Sequence, residues 1–187
     1  MARFVYFTAT SLDGFIADEN NSLDWLFEVA RDPDDKSWDA FLAGIGAMVM
    51  GSTTYEWILA HDDLLAHPER WQGYYADRPC WVFTRRDLPA IPGVDLRFVR
   101  GDVGAAYDEI VAAAGDRDVW LVGGGDLVAQ FDDAGHLDEV QLGFCPVFLG
   151  AAAPVLPRRI TSQRLTLRDV RRSGQQVTLV LEVSRPG

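Results

Sequence analysis

Lysine is almost missing: Lys36 stands alone, so nearly all positive charge sits on arginine. With 17 basic residues against 28 acidic ones the chain carries −11 at pH 7. That balance repels polyanions and excludes a general nucleic-acid or anionic-membrane binder. Cysteine is scarce too. Cys80 and Cys145 form no CxxC spacing and read as small core residues in a reducing compartment, with a single disulfide as the alternative. His61, His67 and His136 form no HxH or HxxxH pair and flank no cysteine, so no metal site is expected. No apolar run reaches 18 residues, and Asp13 interrupts the first apolar stretch before a signal-type segment is complete. These absences point to a cytoplasmic protein with no membrane segment. Repeats, low-complexity tracts and Gly/Ser linkers are also absent.

What is present is an ordinary core. A chain of 187 residues with 48% hydrophobic and 24% charged residues fits one domain, 1–187, able to bury about 70% of its unfolded surface without staples. The apolar pattern predicts strands over 3–10, 47–50, 80–84, 95–99, 118–122 and 139–144. Helices are predicted ending over 37–42, starting at 52–54, and over 105–114 and 126–133, with a polar loop over 60–76. Residues 165–170 and 177–183 around Ser173-Gly174 read as a terminal hairpin. Strand and helix alternate, so the fold class is α/β: a mostly parallel central sheet, helices on both faces, and a C-terminal antiparallel β-hairpin. Residues 158–187 hold seven Arg against Asp169 and Glu182, a local +5 that reads as a solvated strand surface or a dimer or anion contact.

Ligands in such sheets bind beyond the carboxyl ends of the strands, and three predicted ends are unusual. Val122 runs into Gly123-Gly124-Gly125-Asp126-Leu127, where missing side chains and a helix start could admit an anion or merely make a tight turn; Asp126 reads as the helix cap. Neither a GxGxxG fingerprint nor a GxxxxGK loop is formed there. Gly51 is followed by Ser52, Thr53 and Thr54, hydroxyls that could hold an anion or simply cap the helix. Thr84 is followed by Arg85 and Arg86, adjacent planar forks suited to phosphate or to solvent.

Four segments resemble the dihydrofolate reductase superfamily, in particular the branch containing the C-terminal reductase domain of the riboflavin-biosynthesis enzyme RibD. They are Ser11-Leu12-Asp13-Gly14-Phe15-Ile16-Ala17, Met50-Gly51-Ser52-Thr53-Thr54-Tyr55-Glu56, Leu121-Val122-Gly123-Gly124-Gly125-Asp126-Leu127, and Leu137-Asp138-Glu139-Val140 leading to Cys145-Pro146-Val147-Phe148-Leu149-Gly150. The resemblance implies NADPH as cofactor and a homodimer. Ala9, Ile16 and Ala17 would meet the nicotinamide half. Gly51, Ser52, Thr53 and Thr54 would hold phosphate, and Thr84, Arg85 and Arg86 would meet the 2′-phosphate. Gly123 to Leu127 would wrap the pyrophosphate, with Val122 also among the cofactor-binding residues and a cis bond at Gly123-Gly124. Ala30 stands where dihydrofolate reductases carry an acid, and Ser52 where an Arg is common.

The implied reaction is hydride transfer to a small heterocyclic C=N or C=O substrate, pterin- or pyrimidine-like. The alternatives are the ribosylaminouracil reductase step of riboflavin biosynthesis, or an NADPH-binding protein without efficient catalysis. Asp13, Asp24 and Glu28 are candidate proton donors, with a turn residue, a helix cap and a solvated surface residue as the respective alternatives. Trp25 and Phe27 are candidates for a flat substrate pocket or for core packing.

Overall fold

Strands of β-branched and aromatic residues alternating with short amphipathic segments must bury two sheet faces, and helices do so in the computed structural model, which describes residues 2–185. Met1, Pro186 and Gly187 of the expected domain 1–187 lie outside the described residues. The first half holds β1 (Phe4–Thr10), β2 (Phe15–Ala17), α1 (Asp24–Phe27), α2 (Ser37–Ala43), β3 (Ile45–Gly51), α3 (Ser52–His61), α4 (Glu69–Tyr75) and β4 (Cys80–Phe83). There follow β5 (Leu96–Val99), a 3₁₀ turn (Val103–Ala106), α5 (Tyr107–Ala114), β6 (Asp118–Gly123) and α6 (Gly125–Asp133). The chain continues with β7 (Glu139–Phe144), β8 (Ala153–Pro154), β9 (Leu165–Ser173) and β10 (Gln176–Val183).

Eight strands form one sheet in the order β5-β4-β3-β6-β1-β7-β10-β9. Every pairing from β5 to β7 is parallel, and β10 and β9 add the antiparallel hairpin. The fold class read from the sequence is therefore the one observed. Side-chain alternation sorts the core into two layers. Phe4, Tyr6, Ala47, Val49, Trp81 and Leu121 pack with Ile110 of α5 and Phe131 of α6. Met48, Met50, Cys80, Val82 and Trp120 pack on the other side with Tyr55 and Ile58 of α3 and Trp71 of α4. Both cysteines are buried and unpaired, and burial pushes both thiols up.

Several local expectations are corrected. The polar loop over 60–76 contains α4, whose exposed residues disguised a helix anchored by the fully buried Trp71. The helix begun by the hydroxyl run is capped by Gly51, not by Ser52, Thr53 or Thr54, and the cap makes no side-chain hydrogen bond. Gly124, not Asp126, caps α6, again without a side-chain bond. Leu23 caps α1, leaving Asp24 inside its first turn. The β2–β8 pair, three residues against two, is too short to leave a periodic signal. The basic tail is largely paired: Arg158 with Asp133, Arg164 with Asp132, Arg168 with Glu182 and Arg171 with Asp169. No helix among the described residues is long and apolar enough to cross a membrane.

Candidate active site

Parallel pairing sends the carboxyl ends of β4, β3, β6 and β1 to one sheet edge. Register completes the alignment: Gly51 lies opposite Phe83, and Met50 opposite Gly123. The Gly51–Thr54, Thr84–Arg86 and Gly123–Leu127 turns are thus neighbours along that edge. Together they line a cleft of about 660 Å³, whose wall also includes Ile16 and Ala17 of β2 and Ala153 and Pro154 of β8.

Each glycine of the triplet has its own physical reason. Gly123 sits at φ 146°, where an L side chain is strained, and its bond to Gly124 is cis. Gly124 has room beside it, since a Cβ there would make only ordinary van der Waals contact with Ile16 Cδ1 at 3.9 Å. Gly125 is excluded from carrying a side chain by packing: a Cβ would lie 2.6 Å from the Pro154 carbonyl oxygen and 2.7 Å from that of Val155. The helices that begin here, α3 and α6, both start without a side-chain cap. Their first-turn N–H groups have no intrahelical acceptor by geometry and concentrate positive potential at the cleft.

The two arginines are not equivalent. Arg86 forks onto Glu56 at 2.9 and 2.5 Å and also donates to the Ser52 hydroxyl at 3.1 Å. The Arg86 guanidinium is thereby held against the start of α3. The Thr84 hydroxyl accepts the Arg86 backbone N–H at 2.9 Å and fixes that turn. Arg85 is exposed, lines the cleft, and forms no ion pair among the described residues.

Of the sixteen residues assigned to the cofactor, Ile16, Ala17, Gly51, Ser52, Thr53, Thr54, Thr84, Arg85, Arg86 and Val122 to Leu127 all line this cleft. Ala9 does not; it lies on β1 opposite Gly143 of β7. Asp13, Asp24, Glu28, Trp25 and Phe27 do not line it either. Asp13 is a clasp: it accepts the N–H of Leu149 at 3.1 Å, that of Gly150 at 2.7 Å and the Ser11 hydroxyl at 2.6 Å. The Ser11 hydroxyl first, then those amides, holds its carboxyl below the usual range, which suits an anion rather than an acid. Asp24 and Glu28 are exposed on and after α1. Trp25 is buried, and Phe27 is 59% exposed, stacked against His61 and Trp57.

Lining residues that the sequence did not reveal include Thr8, Asn21, Leu23, Trp57, Gly101, Gln130, Ala153 and Pro154. Trp57 had a usable signal, because it lies three positions beyond Thr54 on one helix face. Ala153 and Pro154 had none; pairing with β2 brings them there.

Comparison with known proteins agrees with this architecture. The uncharacterized Bacillus subtilis (strain 168) protein YwjB is 27% identical over 177 residues, covering 95% of each chain. A Shewanella sp. PV-4 protein provisionally assigned to riboflavin biosynthesis has the same fold, with TM-score 0.78, 23% identity and full coverage of both chains. So does a Thermotoga maritima diaminohydroxyphosphoribosylaminopyrimidine deaminase/5-amino-6-(5-phosphoribosylamino)uracil reductase, at TM-score 0.68 and 16% identity, where the match spans 97% of this chain and 56% of the other. The family model of the RibD C-terminal domain matches residues 75–179. More than half of its length being matched, the chain belongs to the RibD C-terminal domain family.

Proposed function

We propose that the protein is an NADPH-dependent reductase, transferring a hydride to a C=N or C=O group of a small pterin- or pyrimidine-like heterocycle. Membership of a reductase-type family related to riboflavin biosynthesis supports the reaction class. The observation that carries the cofactor is the cleft's charge layout. Two uncapped helix starts flank Gly124, and Arg85, without an ion pair among the described residues, stands at one end. That set fits a dinucleotide: α3 and α6 N–H groups with Thr53 and Thr54 for the pyrophosphate, and Arg85 for the 2′-phosphate. Ile16, Ala17 and Val122 would face the nicotinamide ring and keep water from it. A reduced nicotinamide bound there supplies the hydride, while the protein supplies orientation.

A second reading, an NADPH-binding protein without efficient catalysis, is favoured by one fact: Asp13, Asp24 and Glu28 all stand outside the cleft. Two buried, unpaired thiols support a reducing, cytoplasmic setting. The exposed edge strand β9, with Leu167 and Val170 more than half exposed, supports a homodimer.

Titration of tryptophan fluorescence with NADPH and with NADH tests the proposal. Saturable quenching with preference for NADPH is expected. Absence of binding by either nucleotide would sink it. Oxidation of bound NADPH by a panel of pterins, pyrimidines and quinones then separates the reductase from the binding protein.

A further inference from the structure

Three arginines leave the sheet side by side at one corner of the cleft. Phe83 of β4 lies opposite Val99 of β5, so Arg85 and Arg86, which follow β4, neighbour Arg100, which follows β5. Two of the three already hold a carboxylate: Arg100 pairs with Asp87, and Arg86 with Glu56. Arg85 forms no ion pair among the described residues.

The Arg86–Glu56 pair is fixed to the cleft wall. Ser52 and Glu56 stand four residues apart on α3 and so share one face of it. Arg86 Nη2 donates to both, to Glu56 Oε2 at 2.5 Å and to the Ser52 hydroxyl at 3.1 Å, while Nη1 donates to Glu56 Oε1 at 2.9 Å. Ser52 and Arg86 line the cleft, and Glu56 does not. The two terminal nitrogens of a guanidinium are the fork that clasps a carboxylate or a phosphate, and here a carboxylate of the protein itself closes it. The same negative charge, one hydrogen-bonded nitrogen away from the Ser52 hydroxyl, opposes a phosphate brought to that hydroxyl.

We infer that Glu56 is a specificity-determining residue: by occupying Arg86 it limits the preference of the cleft for a dinucleotide bearing a 2′-phosphate over one bearing a 2′-hydroxyl. The inference rests on the dinucleotide reading above and adds the residue that sets its selectivity. Arg85 then reads the 2′-phosphate with one fork where the turn after β4 carries two. Removing the Glu56 charge releases the second fork toward the cleft that Arg86 already lines.

NADPH and NADH are the probes, because they differ only in the 2′-phosphate, and each is titrated by tryptophan fluorescence. Glu56→Gln keeps the length of the side chain and removes its charge. It should bind NADPH about fivefold more tightly than the wild type, the scale of an exposed ion pair, with NADH changed by less than about twofold. Damage to the fold does not produce such a gain, and a circular-dichroism melt shows that the fold is kept. Arg86→Ala added to Glu56→Gln should return the NADPH-to-NADH preference to the wild-type value or below. Glu56→Gln added to Arg85→Ala should restore part of the preference lost in Arg85→Ala alone. An unchanged or smaller preference in Glu56→Gln, or a gain that survives Arg86→Ala, would overturn this role of Glu56 and leave the reductase reading intact. Failure of the wild-type protein to bind either nucleotide would overturn both.

Discussion

Asp13 and Arg86 show how a charged side chain at a strand end can be occupied by the protein's own structure. Asp13 joins the turn after β1 to Leu149 and Gly150, and so holds β2 over the cleft. Its folded-state pKa lies below the ordinary value. The stability this clasp contributes is therefore complete above about pH 3.9, the unfolded value, and is lost as pH falls through the lower folded value. Amide exchange at Leu149 and Gly150, corrected for intrinsic rates, should stay protected from pH 7 to pH 5 and lose protection below about pH 3.9. In Asp13→Ala that protection should be absent at every pH. Arg86 is held by Glu56 and Ser52, which leaves Arg85 as the freer fork. On the proposed reading Arg85→Ala should therefore reduce the preference for NADPH over NADH about tenfold, because it would leave the 2′-phosphate unpaired. An unchanged ratio of the two dissociation constants would move the 2′-phosphate elsewhere.

Elements are joined by another arginine, Arg78, which precedes β4. Its guanidinium donates to the Leu42 carbonyl at the end of α2 at 2.5 Å, to Tyr75 at the end of α4 at 2.7 Å, and to Ile45 at the start of β3 at 2.9 Å. Carbonyls at helix ends have no intrahelical donor, and a cation there also meets the negative end of each helix dipole. Partial burial holds the Arg78 pKa below its usual range, yet the side chain remains a cation at neutral pH. Arg78→Ala strands these acceptors and should lower unfolding free energy by about 3 kcal/mol, read as a lower denaturant midpoint with unchanged slope. Arg78→Lys should recover only part of the loss, since one ammonium cannot span all three carbonyls. Trp71 anchors α4 from within the same layer.

Eight strands in one continuous sheet, with a core layer on each face sharing those strands, leave no internal boundary at which half the molecule could unfold. Thermal or urea unfolding should accordingly be one cooperative transition, with far-UV circular dichroism and tryptophan fluorescence coincident. Separated transitions by the two probes would divide the chain into independent units. The charge map supports the same unity. Arg158 and Arg164 of the basic tail reach Asp133 and Asp132 of α6, tying the hairpin end of the sheet to the helix that begins at the cleft.

Local chemistry was enough to read much of this molecule from its residues. Apolar runs and their periods gave the six parallel strands and the hairpin, because burial on both faces demands uninterrupted Val, Ile, Phe and Trp. Gly51, Arg85 and Gly123 to Gly125 stood out because glycine clusters and paired arginines interrupt those patterns at strand ends. The helix α4 was hidden, since its exposed polar residues outnumber the single tryptophan that holds it. The separate reasons for the three glycines were hidden as well, because Gly125 answers to the carbonyls of Pro154 and Val155, far away in the chain. Which carboxylates are clasps, which arginine is already paired, and that Phe27 stacks parallel to Trp57 and His61 all depend on contacts across 30 residues or more. Composition and periodicity act on near neighbours. The pairing of β2 with β8 and the stacking of α1 on α3 arise only when the sheet closes and distant segments compete for the same edge.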